Sequence, residues 1–441
     1  MIQKYYDDFF KGKKVTVLGL GLLGRGVGDT AFLARHEADV CVTDKKTKEL
    51  LVTSLECLAE YQNITYHLGE HVFSDFEGKD FIIKAAGVPY DSPYIKHAIE
   101  KGIPVYMSAA LVCSLVRTLL PSVTIIGVTG TRGKSTTTQL IGHILKESGM
   151  RVRYGGNIRG IANLPLLEDI EEDEFLVLEL DSWQLQGFGD LAISPHISVF
   201  TNFLEDHLNY YKGDKEHYFN DKAHIYRHQD THDVLIASAE AKMEIHMRDP
   251  KQEVLVGEEN DFVTTLLGHH NRTLVSLAYE VCRACGLSDE EIGQGVASFK
   301  AVEGRLQYMG VYRGVHVVND NNATTGDAVI VGIDAIHEHF GKASIVICGG
   351  KDKELALSHM EQALKEKTKQ IVFLSGSGTD RLQLSKEYIY DRLEDCIAKA
   401  FSLASEGDVI LFSPGFSSFS AYFSNEYERN DMFIHEVEKY H

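Results

Sequence analysis

The sequence predicts an α/β fold divided into three domains, and three observations support this prediction. The chain has 441 residues, a length typical of two to four domains that each bury a core. Short apolar strands alternate with helix-like segments along the chain, which is the pattern of layered parallel sheets. A new strand, loop and helix start after residue 108, and a new run of strands starts near residue 303. We therefore predict domains at residues 1–108, 109–302 and 303–441.

The first domain opens with a strand, a glycine-rich loop and a helix. Residues 14–18, KVTVL, form the strand, and the loop GLGLLGRG follows it. Gly19, Gly21 and Gly24 fit the pattern G-x-G-x-x-G, and Asp44 ends the next predicted strand twenty residues after Gly24. Glycines at this spacing let the backbone approach a pyrophosphate at a helix N-terminus. A dinucleotide, a UDP-sugar and a plain tight turn all remain open, because the pattern alone is weak.

The second domain opens with another glycine loop, GVTGTRGKSTTTQL at residues 127–140. It lies between an apolar strand and a helix, but Val128 stands where a Walker loop has its first glycine. Backbone amides of such a loop can enclose phosphates, while its lysine supplies positive charge and a hydroxyl binds Mg²⁺. The predicted ATP-binding residues of this loop are Gly130, Thr131, Gly133, Lys134, Ser135 and Thr136.

The third domain is indicated by a change of pattern. Residues 271–292 read as helix, whereas residues 304–320, GRLQYMGVYRGVHVVND, alternate as strands do. Cys282 and Cys285 form a C-x-x-C pair inside the helical stretch, with no second pair to complete a zinc site. We interpret these cysteines as structural, in preference to a zinc or redox role.

Composition argues against several classes of function. The formal net charge is −20, with 64 acidic and 44 basic residues, which is unfavourable for a nucleic-acid-binding protein. The first residues, MIQKYYDDFFKGKK, lack the apolar core of a signal peptide, and apolar runs are too short to span a membrane. Seven cysteines, an odd number, suit a reducing compartment. We expect a cytoplasmic monomer that binds neither nucleic acid nor membranes.

Short motifs in a fixed order resemble the Mur ligase family over essentially the whole chain. Mur ligases carry T-G-T-x-G-K-S/T, which residues 129–135 match, and this variant explains the failed Walker spacing. The other motifs are GGN (155–157), LELDSWQL (178–185), EDH (205–207), KAHIY (222–226), GRLQ (304–307), VNDNNAT (318–324), GGKDK (349–353) and SPGFSSF (413–419). The resemblance implies an N-terminal Rossmann-like domain for a UDP moiety, a central P-loop ATPase domain and a C-terminal Rossmann-like domain for an amino acid.

The resemblance also implies a reaction, in which ATP activates a carboxylate as an acyl phosphate and an amine then attacks it. The implied substrates are UDP-N-acetylmuramoyl-L-alanine and D-glutamate, joined during peptidoglycan synthesis. Because several anions would meet in one cleft, Mg²⁺ and a lysine are expected there. The implied catalytic residues are Lys134, Glu179, His207 and Lys222, and the implied Mg²⁺ ligands are Ser135, Glu179, His207 and Lys222. Lys222 would act as a carbamate formed with CO₂, although the sequence alone predicts a solvated helix lysine.

Further binding residues are implied by the same resemblance. Those for the nucleotide of ATP, besides the loop, are Asn271, Arg305 and Asp320. Those for the UDP substrate are Gly19, Gly21, Leu22, Leu23, Gly24, Asp44, Gly87 and Asn157. Those for the amino acid are Thr324, Lys353 and Ser418, whose cation and hydroxyls suit carboxylates.

Some positions depart from the family pattern. Asn322 stands where a lysine is usual, Arg132 where an asparagine is usual and Asp181 where a serine is usual, and the tail at residues 419–430 also differs. The amino acid therefore stays open, and L-glutamate is an alternative. An NAD-dependent dehydrogenase would use only the first glycine loop and leave Lys134 without a role. A non-catalytic nucleotide-binding scaffold would equally leave the implied catalytic residues unexplained.

Overall fold

The computed structural model describes residues 2–206, 208–257, 260–418, 423 and 425–441. The chain forms two compact units, and three sheets account for its strands, as the predicted fold class requires. One unit comprises Met1–Glu258 with Val275–Gly295, and the other comprises Glu259–Leu274 with Val296–His441. Across the described residues, no helix has both the length and the apolar character needed to cross a bilayer.

The first sheet contains five parallel strands in the order β3-β2-β1-β4-β5. Its elements are α1 (Ile2–Phe10), β1 (Lys14–Leu18), α2 (Arg25–Arg35), β2 (Asp39–Asp44), α3 (Val52–Glu56), β3 (Ile64–Leu68), β4 (Phe81–Lys84), α4 (Pro93–Glu100), β5 (Val105–Tyr106) and α5 (Ser108–Leu119). The predicted strand at residues 14–18 is confirmed. Val15 and Val17 point into one buried cluster with Phe32 of α2, because alternate side chains of a strand face the same side.

The second sheet contains six parallel strands in the order β11-β10-β9-β6-β8-β7. Its strands and the helices that accompany or follow them are β6 (Thr124–Thr129), α6 (Lys134–Glu147), β7 (Val152–Gly156), α7 (Leu166–Asp169), β8 (Phe175–Glu179), α8 (Ser182–Asp190), β9 (Ile197–Phe200), α9 (Leu208–Tyr211), α10 (Lys215–Ala223), β10 (Val234–Ala237), α11 (Ala239–Arg248), β11 (Leu255–Val256), α12 (His270–Ala284) and α13 (Asp289–Ser298). Strand β6 is central and almost entirely buried. The loops that follow β6, β8 and β7 therefore emerge side by side at the carboxyl edge of the sheet, where α/β proteins bind ligands.

The third sheet has the order β12-β13-β17-β14-β15-β16, in which β12 and β13 pair antiparallel and the other neighbouring strands pair parallel. Its elements are β12 (Gln307–Tyr312), β13 (Val315–Asn319), α14 (Gly326–Phe340), β14 (Ser344–Gly349), α15 (Ser358–Lys367), β15 (Thr368–Leu374), α16 (Ser377–Arg381), β16 (Ile389–Tyr390), α17 (Leu393–Leu403), β17 (Val409–Phe412) and α18 (Glu426–Glu438). Val346 packs with residues of α14 and α15, whereas Ile345 and Ile347 pack with residues of α17 and α18. Helices thus cover both faces, as parallel sheets require.

Candidate active site

The loop between β6 and α6 has the backbone geometry of an anion site. Gly130 has φ 140°, and a Cβ added there would lie 2.0 Å from the hydroxyl oxygen of Thr201. Gly133 has φ 80° and immediately precedes α6, so the first amides of that helix face the loop. Amides of the first helical turn, together with the helix dipole at this end, favour a phosphate. The predicted strand, loop and helix order around this loop is confirmed.

Two lysines converge on one carbonyl of this loop. Lys134 Nζ donates to the carbonyl oxygen of Gly130 at 3.0 Å and to that of Thr131 at 3.1 Å. Lys222, from α10, donates its own Nζ to the Gly130 carbonyl at 2.8 Å. Two amines that share one acceptor bring positive charge together, an arrangement that an anionic ligand or a negative lysine derivative would balance.

The environment of Lys222 differs from the solvated position that sequence alone predicts, and that prediction is wrong. The residue is 1% exposed, and its ammonium lies 4.9 Å from the ring centroid of Tyr218. Burial, reinforced by the charge of Lys134, holds the pKa of the Lys222 amine well below its usual range. The short helix α10 has little apolar periodicity, so its sequence pattern did not predict the burial of Lys222.

The hydroxyl residues of the loop between β6 and α6 differ in their hydrogen bonds and in their burial. Thr131 Oγ accepts from the amide of Leu204 at 2.9 Å and donates to its carbonyl at 3.2 Å, so it anchors the loop. Thr136 is buried within the first turn of α6, whereas Ser135 is half-buried there. The side chain of Ser135 therefore stays a candidate Mg²⁺ ligand.

Glu179 and Asn157 lie at the carboxyl ends of neighbouring strands. Glu179 ends β8, is 6% exposed, and its carbonyl accepts from the amide of Asn157 at 2.7 Å. A Cβ on Gly156 would lie 2.0 Å from that same carbonyl, so only glycine fits between the two residues. Arg25, the first residue of α2, donates to Asn157 Oδ1 at 2.5 Å. Asn157 therefore connects the edge of the second sheet to the glycine loop of the first sheet.

His207, predicted as a catalytic residue and Mg²⁺ ligand, lies outside the described residues.

Two residues that depart from the family pattern have structural roles. Asp181 caps α8 by accepting from the amide of Gln184 at 2.8 Å, a task that serine also performs. Arg132 forms an ion pair with Asp206, with 3.9 Å between the charged atoms.

The first glycine loop adopts the conformation that its glycines permit. Gly19, Gly21 and Gly24 have φ of 93°, 70° and 83°, in the left-handed region. The carboxylate of Asp44 is 5% exposed and accepts from the amides of Gly21 at 3.1 Å and Lys46 at 2.9 Å. The buried carboxylate of Asp44 thus ties the loop to the end of β2.

Other residues predicted for the UDP substrate border this loop. Leu22 and Leu23 remain 53% and 37% exposed beside it, which leaves an apolar surface available. Gly87 lies in the turn after β4, the strand that pairs with β1. The structure thus gathers these residues around the carboxyl edge of the first sheet.

The other unit contains the three remaining residues predicted for the nucleotide of ATP. Asp320, at the end of β13, accepts from the amide of Leu306 at 3.2 Å and from the hydroxyl of Ser413 at 3.0 Å. Arg305 directly precedes Leu306, so it is fixed beside Asp320 through the backbone. Asn271 is buried and donates to the carbonyl of Leu267 at 2.7 Å.

Two of the three residues predicted for the amino acid meet directly. Lys353 Nζ donates to the hydroxyl of Thr324 at 2.8 Å, while Ser418 is buried just before the undescribed part of the tail. Arg429 of α18 is fully buried, and it donates to the side-chain and backbone oxygens of Asn321, each at 2.8 Å. Burial lowers the pKa of Arg429 to about 10.

The sequence predictions did not include two supporting residues, Arg429 and Arg25. Arg429 stabilises the segment that precedes Thr324, and an arginine in a polar helix gives no hint of such burial. Arg25 follows the last glycine of the first loop, where its position beside a predicted anion site was a usable signal.

Comparison with known proteins agrees with this arrangement. Three family models match consecutive parts of the chain: the Mur ligase MurD-like, N-terminal domain at residues 13–107, the Mur ligase middle domain at residues 128–277, and the Mur ligase, glutamate ligase domain at residues 304–416. These matches coincide with the three sheets and with the two glycine loops. The chain belongs to the Mur ligase family.

Relatives within the family share nearly the full length of the chain. A UDP-N-acetylmuramoylalanine--D-glutamate ligase of Roseiflexus sp. (strain RS-1) is 31% identical, with 97% of this chain and 99% of the relative covered. Proteins of the same name from Koribacter versatilis (strain Ellin345) and Borreliella burgdorferi (strain B31) are 32% and 28% identical, with at least 95% of both chains covered.

Solved structures share the fold. UDP-N-acetylmuramate-alanine ligase MurC of Thermotoga maritima has a TM-score of 0.63 at 19% identity, with 97% of this chain and 99% of that chain covered. MurF ligase of Thermotoga maritima, solved in complex with ADP, has a TM-score of 0.61 at 18% identity, with 91% and 94% covered.

Proposed function

We propose that this protein is an ATP-dependent ligase that joins D-glutamate to UDP-N-acetylmuramoyl-L-alanine in peptidoglycan synthesis. The observation that carries the proposal is the convergence of Lys134 and Lys222 on the Gly130 carbonyl at the end of β6. A phosphate loop with two amines suits a reaction that handles several anions together. The D-glutamate ligases that resemble the chain over nearly its full length support the choice of substrates.

The proposed reaction has two steps. A carboxylate oxygen of UDP-N-acetylmuramoyl-L-alanine attacks the γ-phosphorus of ATP, the bond to the bridging oxygen breaks, and ADP leaves. The amine of D-glutamate then attacks the acyl carbon, phosphate leaves with the former carboxylate oxygen, and the nitrogen loses a proton. Lys134 would stabilise charge on the transferred phosphoryl group, because it is held against the loop by two carbonyls.

The residues predicted for Mg²⁺ suit that ion chemically if Lys222 is carbamylated. Glu179 offers a buried carboxylate at the same sheet edge, Ser135 offers a hydroxyl, and His207 belongs to the same proposed set. A bound Mg²⁺ would supply charge neutralisation for phosphate oxygens. Carbamylation requires an uncharged amine, and the lowered pKa of Lys222 favours that form. A carbamate on Lys222 would also form an ion pair with the neighbouring Lys134.

The first glycine loop would bind the UDP moiety and not NAD. In NAD sites the acidic residue after the second strand accepts the ribose hydroxyls. Asp44 instead directs one oxygen to the Gly21 amide and the other to the Lys46 amide. The exposed Leu22 and Leu23 would flank the substrate. Titration calorimetry should therefore detect binding of UDP-N-acetylmuramoyl-L-alanine, whereas saturable NADH binding at this loop would contradict the assignment.

The second unit would select an acidic amino acid. Lys353 donates a hydrogen bond to Thr324, and Ser418 completes the proposed set. A cation beside hydroxyls suits a carboxylate. Asn322 supplies no charge in place of the lysine usual in the family, so Lys353 would carry the charge recognition. We further propose that the enzyme acts as a monomer in the cytoplasm, where ATP is available.

Isotope transfer tests the acyl phosphate directly. The substrate is prepared with ¹⁸O in both oxygens of its free carboxylate and incubated with ATP, Mg²⁺ and D-glutamate. One ¹⁸O should appear in each inorganic phosphate released, and none should appear without the UDP substrate. Phosphate that carries only ¹⁶O would contradict the mechanism.

A further inference from the structure

The first sheet has one apolar face and one face with an unusual polar patch. Val40 and Val42 of β2 point into the main core cluster, so Cys41 points to the opposite face. His67, on the neighbouring strand β3, lies on that same face as Cys41. A short 3₁₀ helix at Phe73–Phe76 covers the patch and contributes Asp75.

The three side chains of this patch lie close enough to share a ligand. One ligand atom each of Cys41, His67 and Asp75 lies within 4.8 Å of the others, and no other such group of three occurs among the residues that the structure describes. Cys41 and Asp75 are 5% and 2% exposed, whereas the His67 side chain is 51% exposed. The patch is therefore enclosed on two sides and open to solvent through the histidine.

One oxygen of Asp75 has no hydrogen-bond partner among the described residues. Its Oδ1 accepts a hydrogen bond from His67 Nδ1, whereas its buried Oδ2 accepts none from the part of the chain that the structure describes. The carbonyl of Asp75 accepts from the hydroxyl of Thr16 at 2.5 Å, which fixes the backbone over the sheet. A buried carboxylate oxygen that lacks a hydrogen-bond donor is unfavourable, so its position needs a physical explanation.

We propose that Cys41, His67 and Asp75 bind one divalent cation of the zinc class. A thiolate, an imidazole and a carboxylate are the usual zinc ligands, and tetrahedral coordination leaves the fourth position for water at the exposed side. The thiolate and the carboxylate would neutralise the charge of the ion. A sulfur ligand selects against Mg²⁺, which prefers oxygen, so this site would not compete for the metal of the ligase reaction.

Metal binding would displace protons from the ligands of this site. Burial, followed by the charge of Asp75, raises the pKa of the Cys41 thiol, which therefore holds its proton without a metal. Binding would form a metal–sulfur bond and release the thiol proton to solvent. The ion would take the place of the proton between His67 Nδ1 and Asp75, and that proton would move to Nε2 on the exposed side of the imidazole. A bound ion would tie the covering segment at Phe73–Phe76 to strands β2 and β3.

Cobalt titration of the full chain tests the site, because Co²⁺ reports thiolate ligation by a charge-transfer band in the near ultraviolet. We expect one equivalent to produce this band, excess Zn²⁺ to remove it, and Zn²⁺ to raise the melting temperature. Cys41→Ser and His67→Ala should each weaken binding at least about tenfold. Cys57→Ser, which changes an exposed cysteine, is the matched control and should behave as wild type.

Three results would overturn the proposal: no thiolate band in the wild-type protein, an equal band in Cys41→Ser, or loss of the band in Cys57→Ser. If Cys41→Ser does not fold, His67→Ala decides, because that side chain is half exposed and its removal leaves no internal cavity. Unchanged affinity in folded His67→Ala would equally exclude the three-residue site.

Discussion

At the scale of single residues, the paired amines at the Gly130 carbonyl concentrate positive charge where the proposed phosphates would bind. Lys134 belongs to the loop and Lys222 reaches the same oxygen from α10. Their roles should be separable, because Lys134 would remain a cation while Lys222 would become an anion. Each lysine therefore gives its own prediction.

Lys134→Ala should abolish ligation and leave affinity for the UDP substrate nearly unchanged. The lysine is held to the phosphate loop, whereas the proposed UDP residues surround a different glycine loop. We expect a loss of about 100-fold or more in turnover, measured by phosphate release, and an unaltered calorimetric titration. Lys146→Ala, in the last turn of the same helix, is the control. Retention of a tenth of wild-type turnover would refute the assignment.

Lys222→Ala should remove most activity, and acetate or formate should restore part of it. The reason is that a small carboxylate can occupy the ligand position that the carbamate leaves. Lys215→Ala changes an exposed lysine of the same helix and should keep its activity without added carboxylate. Turnover at increasing acetate is the measurement, with circular dichroism to establish folding. Rescue by alkylamines, and not by carboxylates, would show that Lys222 acts as a cation.

Asp29→Asn should change the pH dependence of stability. Asp29 Oδ1 accepts from the amides of Asn163 at 3.0 Å and Leu164 at 2.8 Å, and burial raises its pKa from 3.8 to about 6. Because the folded pKa is raised, the stabilisation from protonated Asp29 is complete below about pH 4 and is lost as pH rises to about 6. Asparagine keeps the acceptor and cannot ionise.

The free energy of unfolding of Asp29→Asn should therefore rise relative to wild type by roughly 3 kcal/mol between about pH 4 and pH 7. Urea unfolding of both proteins at several pH values measures this difference. A difference that stays constant with pH would contradict the raised pKa.

Sequence patterns identified residues whose chemistry is local. Lys134 was predicted because its loop, strand and helix are contiguous, and the structure confirms that context. The burial of Lys222 and Arg429 could not be predicted, because each depends on contacts with residues distant in the chain. The same reason conceals the Cys41, His67 and Asp75 group, whose members lie on three separate elements.

At the scale of elements, glycine conformation decides whether the phosphate loop can form. Gly130→Ala should remove ATP-dependent turnover, because its Cβ would lie 2.0 Å from the Thr201 hydroxyl at φ 140°. Gly149→Ala is a matched control, since Gly149 follows α6 at φ 81° and a Cβ added there would have no atom of the described residues within 4 Å. The control should lower stability by about 1 kcal/mol and retain activity.

Thermal unfolding and phosphate release measure both glycine variants. If Gly149→Ala lost as much turnover as Gly130→Ala, backbone strain, and not the contact with Thr201, would explain the loss of turnover. Normal turnover in Gly130→Ala would contradict the loop geometry.

Strands and helices with a clear hydrophobic periodicity were predicted correctly. Strand β1 was predicted from KVTVL, and the helix and strand after it were predicted from a clear change of period. The 3₁₀ helix at Phe73–Phe76 was not predicted, because four residues are too few to show a period.

At the scale of the whole molecule, three sheets follow one another along the chain, and this order was predictable because each begins with a new strand and turn. The domain boundaries at residues 108 and 303 stay predictions. The grouping of Glu259–Leu274 with the second unit could not be predicted, because it arises from contacts between distant segments.

The central claim is that this chain joins D-glutamate to UDP-N-acetylmuramoyl-L-alanine at the expense of ATP. Mass spectrometry of products is its most direct test, with ATP, Mg²⁺, the UDP substrate and a panel of D- and L-amino acids offered one at a time. We predict a product heavier by one glutamate residue with D-glutamate, much less product with L-glutamate, and none without ATP. A product formed only with neutral or basic amino acids, or no product with D-glutamate, would contradict the proposal.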